Sequence, residues 1–275
     1  AVLKRHNIRP SKGLGQSFLV DRHILAQIVV ASALQPDDIV LEVGPGLGQL
    51  SEALAERAGQ VVAIELDRRM LAVLSAELGR LTNLHIVEGD MLTIDLVSTL
   101  RETLGLAPEM PLRYKVVANL PFYITSTAIR HLLGARPRPQ TLTLMVQLEV
   151  ANRIVASPGQ LSMLALGVQV YGDPRIALHV PSRAFYPAPK VDSAVLQVTI
   201  LPEPRVPEDE LGRFFRVAQA GFGQKRKQLH NSLTHNLHLP TATVYAALER
   251  AGIEPQRRPQ TLSIDEWAAL ARALP

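Results

Sequence analysis

From residue 37 onward, short apolar runs alternate with segments whose apolar positions recur at helical spacing. "DIVLEVG" reads as a strand, and "LGQLSEALAERAG" reads as an amphipathic helix closed by Gly59. "QVVAIEL" is a second strand. "DRRMLAVLSAELGR" is a helix opened by Asp67, with Gly79 near its end. "NLHIVEGD" gives a third strand. "LRYKVVANL" gives a fourth, reached through the loop "GLAPEMP". "TSTAIRHLLG" is a helix and "PQTLTLMVQ" a fifth strand. Repeated strand–helix pairs predict an α/β fold with a parallel sheet covered on both faces.

After residue 174 the pattern changes. "RIALHVPSRAFYPAPKVDSAVLQVTIL" holds two alternating strands around a Pro-rich loop, which predicts an antiparallel pair at the sheet edge. "LPEPRVPEDE" (201–210), with three Pro and four acids, reads as a linker. "ELGRFFRVAQAGFG", "KQLHNSLTHNL", "TATVYAALERAG" and "SIDEWAALARAL" follow as helices. Two domains are expected: residues 1–201, a mixed Rossmann-like sheet with a basic N-terminal tail, and residues 202–275, a small all-helical domain.

Of the 275 residues, 47 % are hydrophobic, enough for a sizeable core. No run of 18 apolar, uncharged residues occurs, so no membrane span is expected. The N-terminal stretch lacks the apolar core of a signal peptide, and a cytoplasmic protein is expected. The absence of Cys excludes disulfides, thiolate nucleophiles and Cys-based zinc sites. Net charge is +4: residues 1–20 carry +4, residues 202–275 carry +2, and the middle −2. Basic ends around a mildly acidic body suit a polyanion partner, although a solvated tail would give the same count.

The first strand runs into the first helix through "LEVGPGLGQL". Gly44, Gly46 and Gly48 spell G-x-G-x-G. The dinucleotide fingerprint needs Gly at position 49, where Gln49 stands. The backbone can still approach a ligand closely, but the pyrophosphate pattern is not met. Glu42 precedes the loop. Glu65 ends the second strand, 21 residues after Gly44, where a carboxylate can hold two ribose hydroxyls. Asp90, followed by Met91, ends the third strand and can accept from an exocyclic adenine amine. Taken singly, these are also ordinary βα turns and helix caps. Together, at the ligand-binding edge of a parallel sheet, they resemble the fold of class I methyltransferases, which implies S-adenosylmethionine as cofactor.

The fourth strand stops abruptly in "VVANLPFYIT". Asn and Pro are poor strand residues, and a strand cap with a turn is the plain reading. "NLPF" (Asn119, Leu120, Pro121, Phe122) resembles the [NDS]-[IL]-P-[FYW] motif of amino-methyltransferases. An adenine amine is a poor nucleophile because its lone pair is delocalised. Acceptors for both its N–H groups draw the nitrogen toward sp³. The Asn119 oxygen and the Leu120 carbonyl are suitable, Pro121 fixes the backbone, and Phe122 offers a face for the base.

Four further stretches extend the resemblance over essentially the whole chain: "KGLGQSFLVD" (12–21) before "NLPF", then "FYPAPKVDSAV" (185–195), "AGFGQKRKQLHNSL" (220–233) and "GIEPQRRPQTLSIDEWAALA" (252–271) after it. In this order they are similar to the KsgA family of ribosomal-RNA adenine dimethyltransferases. The two C-terminal stretches favour that family over relatives that methylate large-subunit RNA. The resemblance implies transfer of four methyl groups to two adjacent adenosines in a hairpin near the 3′ end of small-subunit rRNA, and a role in late subunit assembly. The expected partner is small-subunit rRNA or a pre-30S particle, and the expected protein is a monomer that uses no metal. Residue by residue, it implies that Gln16, Ser17 and Leu19 lie over the methionine end of the cofactor. Gly44 and Gly46 match the loop, Glu65 the ribose acid, and Asp90 with Met91 the adenine-binding step. Asn119 matches the catalytic amide and also borders the cofactor. Phe185 matches an aromatic that faces the target base; Lys190, Lys225, Arg226 and Lys227 match RNA contacts.

Phe122 departs from the usual Tyr, Ser17 from a frequent Asn, and Leu148 from a common "QKEV". "SPGQLSM" (157–163) is shorter than the corresponding region of the family. His230, His235 and His238 lack a Cys or carboxylate partner at ligand spacing. Arg257 and Arg258 are open to RNA contact or to a plain surface role, Tyr123 to stacking or to burial. Trp267 is expected in the small-domain core. Competing readings are an RNA-binding assembly factor whose methylation is dispensable, an adenine methyltransferase of large-subunit rRNA, and a DNA or small-amine methyltransferase. The basic tail is expected to close over the cofactor.

Overall fold

The computed structural model of the chain describes residues 2–11, 13, 15–224 and 227–275. The chain forms two compact units: Ala1–Ala151 with Pro174–Ile200, and Asn152–Asp173 with Leu201–Pro275.

In chain order the elements are α1 (Val2–Arg5), β1 (Phe18–Leu19), α2 (Arg22–Ala31), β2 (Ile39–Val43), α3 (Gln49–Ala55), β3 (Gln60–Glu65), α4 (Arg68–Leu78), β4 (Leu84–Glu88), α5 (Leu96–Leu104), β5 (Tyr114–Asn119), α6 (Thr125–Gly134), β6 (Thr141–Gln147) and α7 (Leu148–Ile154). They continue with α8 (Met163–Gln169), β7 (Gly172–Val180), β8 (Phe185–Tyr186), β9 (Ser193–Ile200), α9 (Leu211–Phe222), α10 (Leu229–Leu237), α11 (Thr241–Arg250) and α12 (Ile264–Ala273).

Seven strands form one sheet in the order β4-β3-β2-β5-β6-β9-β7. β4, β3, β2, β5 and β6 pair in parallel, and β9 runs antiparallel to β6. This is the mixed α/β sheet expected from the alternation of elements. Val40, Leu41, Val61, Val62, Val116 and Val117 are fully buried, as strands covered on both faces require. The chain leaves β2 toward β3 on one side and returns with β5 on the other. A crevice opens at such a reversal, at the carboxyl ends of the strands. Register places Val43 opposite both Ile64 and Ala118, so Gly44, Glu65 and Asn119 emerge side by side.

Several elements were not anticipated from the pattern. α2 carries apolar residues around much of its surface, which hides its period, although Asp21 caps it by accepting from the amides of His23 and Ile24. α5 has a clear frame, with Asp95 accepting from Val97 and Ser98 at its start and left-handed Gly105 at its end. α7 and α8 are each seven residues long, too short for a periodic signal. β1 and β8 form a two-stranded antiparallel ribbon pairing Phe18 with Tyr186 and Leu19 with Phe185.

The second unit is helical, as expected, but it begins earlier than the linker at 201. Leu161, Ala165, Leu166 and Val170 share a buried core with Phe214, Leu229, Leu248 and Trp267. Trp267 is fully buried there, with its ring stacked on Phe222 at 5.5 Å. Gly221 permits this packing, since a Cβ there would lie 2.4 Å from the indole. α12 opens with a capping box between Ser263 and Glu266.

Candidate active site

The crevice at the carboxyl edge of β2, β3 and β5 is lined by Gln16, Ser17 and Leu19, the glycine loop, Glu65, Asp90 with Met91, Asn119 to Ile124, and Phe185. Every first-unit residue named above for cofactor or base therefore borders one cleft. Lys190 is exposed in the loop before β9 and does not line it. Lys227 is exposed two residues before α10, in the second unit, rather than inside a helix. Lys225 and Arg226 lie outside the described residues.

The loop glycines have different reasons to be glycine. Gly44, Gly46 and Gly48 have φ of 68, 57 and 81°, the left-handed region. A Cβ on Gly48 would lie 2.4 Å from Leu78 of α4, so packing forbids it. A Cβ on Gly44 would meet no atom within 4 Å. Its bare backbone instead faces open space in the cleft, where a ligand can come close.

Two buried carboxyls stand behind the loop. Glu65 accepts from the Gly46 amide through Oε2 (3.1 Å) and from the Asp67 amide through Oε1 (2.8 Å). It thereby staples the loop to the end of β3. Burial raises its pKa, and those amide bonds oppose the shift. Glu42, at the end of β2, is 1 % exposed, and its Oε2 has no hydrogen-bond partner among the described residues. Burial pushes its pKa up to about 8, and the nearby Glu65 carboxylate adds to this. The Ser51 hydroxyl offsets part of the rise without reaching hydrogen-bond geometry. An orphaned buried oxygen and an open glycine cradle suit a polar ligand carrying donors, such as a nucleoside or an amino acid. Asp90 accepts from the Leu92 amide through Oδ1 (2.9 Å), which shapes the turn after β4.

Gln16 is less exposed to the cleft chemistry than its position in the sequence suggests. Its Oε1 accepts from the Ser11 amide (2.8 Å) and its Nε2 donates to Asp67 Oδ2 (2.9 Å). It ties the tail to the end of β3. Asp67 also receives the Arg69 guanidinium at 2.6 Å, which holds its pKa below the ordinary carboxylate value. Upstream, Val2, Leu3 and Ile8 pack against Phe18, Leu47, Met70 and Val73. Arg5 and His6 both reach Glu77 of α4.

The end of β5 brings an amide, a backbone carbonyl and an aromatic ring to the cleft. Asn119 Nδ2 donates to the Ser17 carbonyl at 3.3 Å, leaving Oδ1 as the acceptor end of the side chain. The Leu120 amide donates to Met145 O (3.3 Å), and its carbonyl accepts no hydrogen bond among the described residues. Pro121 sits at φ −56° and ψ 132°, which turns the chain into a short 3-10 turn, Phe122–Ile124. Phe122 is half-buried at the cleft wall. Among the described residues neither Asn119 Oδ1 nor the Leu120 carbonyl has a partner, and two such acceptors beside an aromatic ring are what a flat ring with an amino group needs.

The family model described as ribosomal RNA adenine dimethylase matches residues 5–274. The chain belongs to that family. Among curated relatives of this dimethylase, the ribosomal RNA small subunit methyltransferase A of Dehalococcoides mccartyi is 42 % identical over 269 residues, 98 % of this chain and 90 % of that protein. The Moorella thermoacetica protein of the same name is 42 % identical over 100 % of this chain and 96 % of its own length. Of solved structures, the 23S rRNA methyltransferase ErmE is 31 % identical over 94 % of this chain and 99 % of its own, with TM-score 0.71. A dimethyladenosine transferase from Plasmodium falciparum, 24 % identical over 92 % of this chain and 95 % of its own, shares the fold with TM-score 0.75. The dimethylase fold thus accounts for the mixed sheet and the helical unit alike.

The sequence pattern missed the roles of Ser17 O and Phe18, because β1 and its ribbon partner are far apart in the chain. The aromatic pair in "QSFL" and "FYPAP" was the available signal. Arg257 is engaged within the second unit. It pairs with both Glu266 oxygens, and its Nη2 donates to Thr261 O at 2.6 Å. His230 Nδ1 lies 2.8 Å from Pro255 O. Arg258 is exposed.

Proposed function

We propose that this dimethylase transfers methyl groups from S-adenosylmethionine to N6 of two adjacent adenosines in a hairpin near the 3′ end of small-subunit rRNA. The product is a pair of N6,N6-dimethyladenosines, made on a pre-30S particle late in assembly by a cytoplasmic monomer. The carrying observation is the Asn119 amide, anchored through Nδ2, whose oxygen, like the neighbouring Leu120 carbonyl, has no partner among the described residues.

Gln16, Ser17, Leu19, Gly44, Gly46, Glu65, Asp90 and Met91 would hold the cofactor, and Glu42 joins them through its orphaned oxygen. S-adenosylmethionine, when bound, supplies an electrophilic methyl on a sulfonium. Asn119 Oδ1 and the Leu120 carbonyl accept from both N–H groups of the target amine in the first transfer and from its one remaining N–H in the second, freeing the lone pair. Each transfer would form an N–CH3 bond as the S–CH3 bond breaks, leaving S-adenosylhomocysteine and releasing one N6 proton. Phe122 stacks the adenine, and Phe185 borders the same cleft. The gain is mainly one of positioning, because reactants held in line avoid most of the entropic cost of encounter. Lys190 and Lys227, with Lys225 and Arg226, supply phosphate contacts.

The two small-subunit relatives at 42 % identity support this substrate over the large-subunit one. The likeness to a 23S rRNA methyltransferase at 31 % favours the second reading, an adenine methyltransferase of large-subunit rRNA. Incubation with S-adenosylmethionine and, separately, small-subunit rRNA, pre-30S particles and large-subunit rRNA decides between them. Nucleoside mass spectrometry should show dimethyladenosine in the small-subunit samples. Modification of large-subunit RNA alone overturns the assignment.

A further inference from the structure

Tyr123 is a cleft residue that the reaction above leaves without a task. It directly follows Phe122 in the 3-10 turn and lines the cleft. Its side chain does not turn into the protein, since the residue is 61 % exposed. Nor is the ring loose. The Gly15 backbone lies against it: a Cβ on Gly15 would meet Tyr123 Cδ1 at 3.2 Å and Cε1 at 3.5 Å. Packing therefore holds one part of the ring while the rest stays open to solvent.

An exposed aromatic ring fixed beside a base pocket is how proteins stack unpaired bases. The substrate proposed above carries two adjacent adenosines. With one base against Phe122, the other is one nucleotide away, and the next residue of the turn presents the next ring. We propose that Tyr123 is a stacking platform for the purine next to the reacting one, so that both target adenosines are held at the cleft together. The inference rests on the RNA substrate of the previous subsection. The ligand it names is a single-stranded purine base, recognised by its face and not by its edges.

Steady-state methylation of two RNAs tests it. One is small-subunit rRNA with both adenosines, presented in a pre-30S particle, and the other, in the same particle, replaces one of them by an abasic nucleotide. Tyr123→Ala and Tyr123→Leu should raise KM for the intact RNA about 5- to 150-fold, the equivalent of about 1–3 kcal/mol of stacking at 1.4 kcal/mol per tenfold. KM for S-adenosylmethionine should stay at the wild-type value. On the abasic RNA both variants should match wild type. Tyr123→Phe should behave as wild type on both. Leu keeps a side chain against Gly15, so a packing defect would appear in Ala and not in Leu. An equal loss on both RNAs, or a wild-type KM for Tyr123→Ala on the intact RNA, overturns the platform. A wild-type protein that methylates neither RNA overturns the substrate, and the platform with it.

Discussion

Asn119 donates its side-chain amide to the Ser17 carbonyl, 3.3 Å away in space and 102 residues away in the chain. That bond decides which end of the amide is the acceptor. The Ser17 hydroxyl in turn donates to Pro187 O at 2.7 Å, two residues beyond Phe185. One tail residue thus links the end of β5 to the β1–β8 ribbon. Asn119→Ala should lower kcat by about 10²–10³, the usual cost of one lost transition-state hydrogen-bonding group, with RNA affinity retained in a gel-shift titration. Asn119→Asp sets a carboxylate oxygen against the Ser17 carbonyl. Its kcat should recover as pH falls and the carboxyl protonates to donate, whereas that of Asn119→Ala should not. A flat pH response in the Asp variant would remove the Ser17 carbonyl from the mechanism.

Glu42 predicts a pH-dependent stability. Its folded pKa, pushed up to about 8, lies above the unfolded value of 4.5. The native state therefore binds more protons than the unfolded one between those values, and stability declines as pH rises through that window. The raised pKa of Glu65 acts with the same sign. Glu42→Gln should raise the Tm at pH 8 by a few degrees, at about 2–4 °C per kcal/mol, and the gain should vanish near pH 5. Calorimetry at the two pH values measures it. A gain of the same size at pH 5 contradicts the assignment.

Lys190 and Lys227 are exposed and form no ion pair among the described residues. If each meets a phosphate, Lys190→Ala and Lys227→Ala should each reduce the slope of log affinity against log salt by about 0.7–0.9. Fluorescence anisotropy at four salt concentrations reads the slope. An unchanged slope with weaker binding at every salt would point to a structural effect instead.

Arg257 predicts the opposite behaviour. Its guanidinium is committed to Glu266 and Thr261, where it braces the capped start of α12. Arg257→Ala should leave the salt slope of RNA binding unaltered and cost about 1 kcal/mol, seen as a Tm lower by about 2–4 °C. Loss of RNA affinity without loss of stability would return Arg257 to the RNA-contact reading.

Local chemistry made much of this protein readable in advance. Apolar runs of strand length and helices framed by Asp67, Gly59 and Gly79 prescribe the alternating sheet, because period and capping are properties of neighbouring residues. The same holds for the left-handed loop at Gly44 and for the strand that ends in Asn119, Leu120 and Pro121. The KsgA-type motifs carried the family, which the comparisons bear out. Other features depend on pairs that no local pattern connects. β1 meets β8 across more than 160 residues, and that ribbon places Phe185 at the cleft with Leu19. Residues 152–173 join the helical core because Leu161 and Leu166 find Phe214 and Trp267 there. The acceptor end of Asn119, the isolation of Glu42 and the exposure of Tyr123 were likewise set by tertiary structure. Each follows from what packs against the side chain, and a sequence specifies that only once the whole chain has folded.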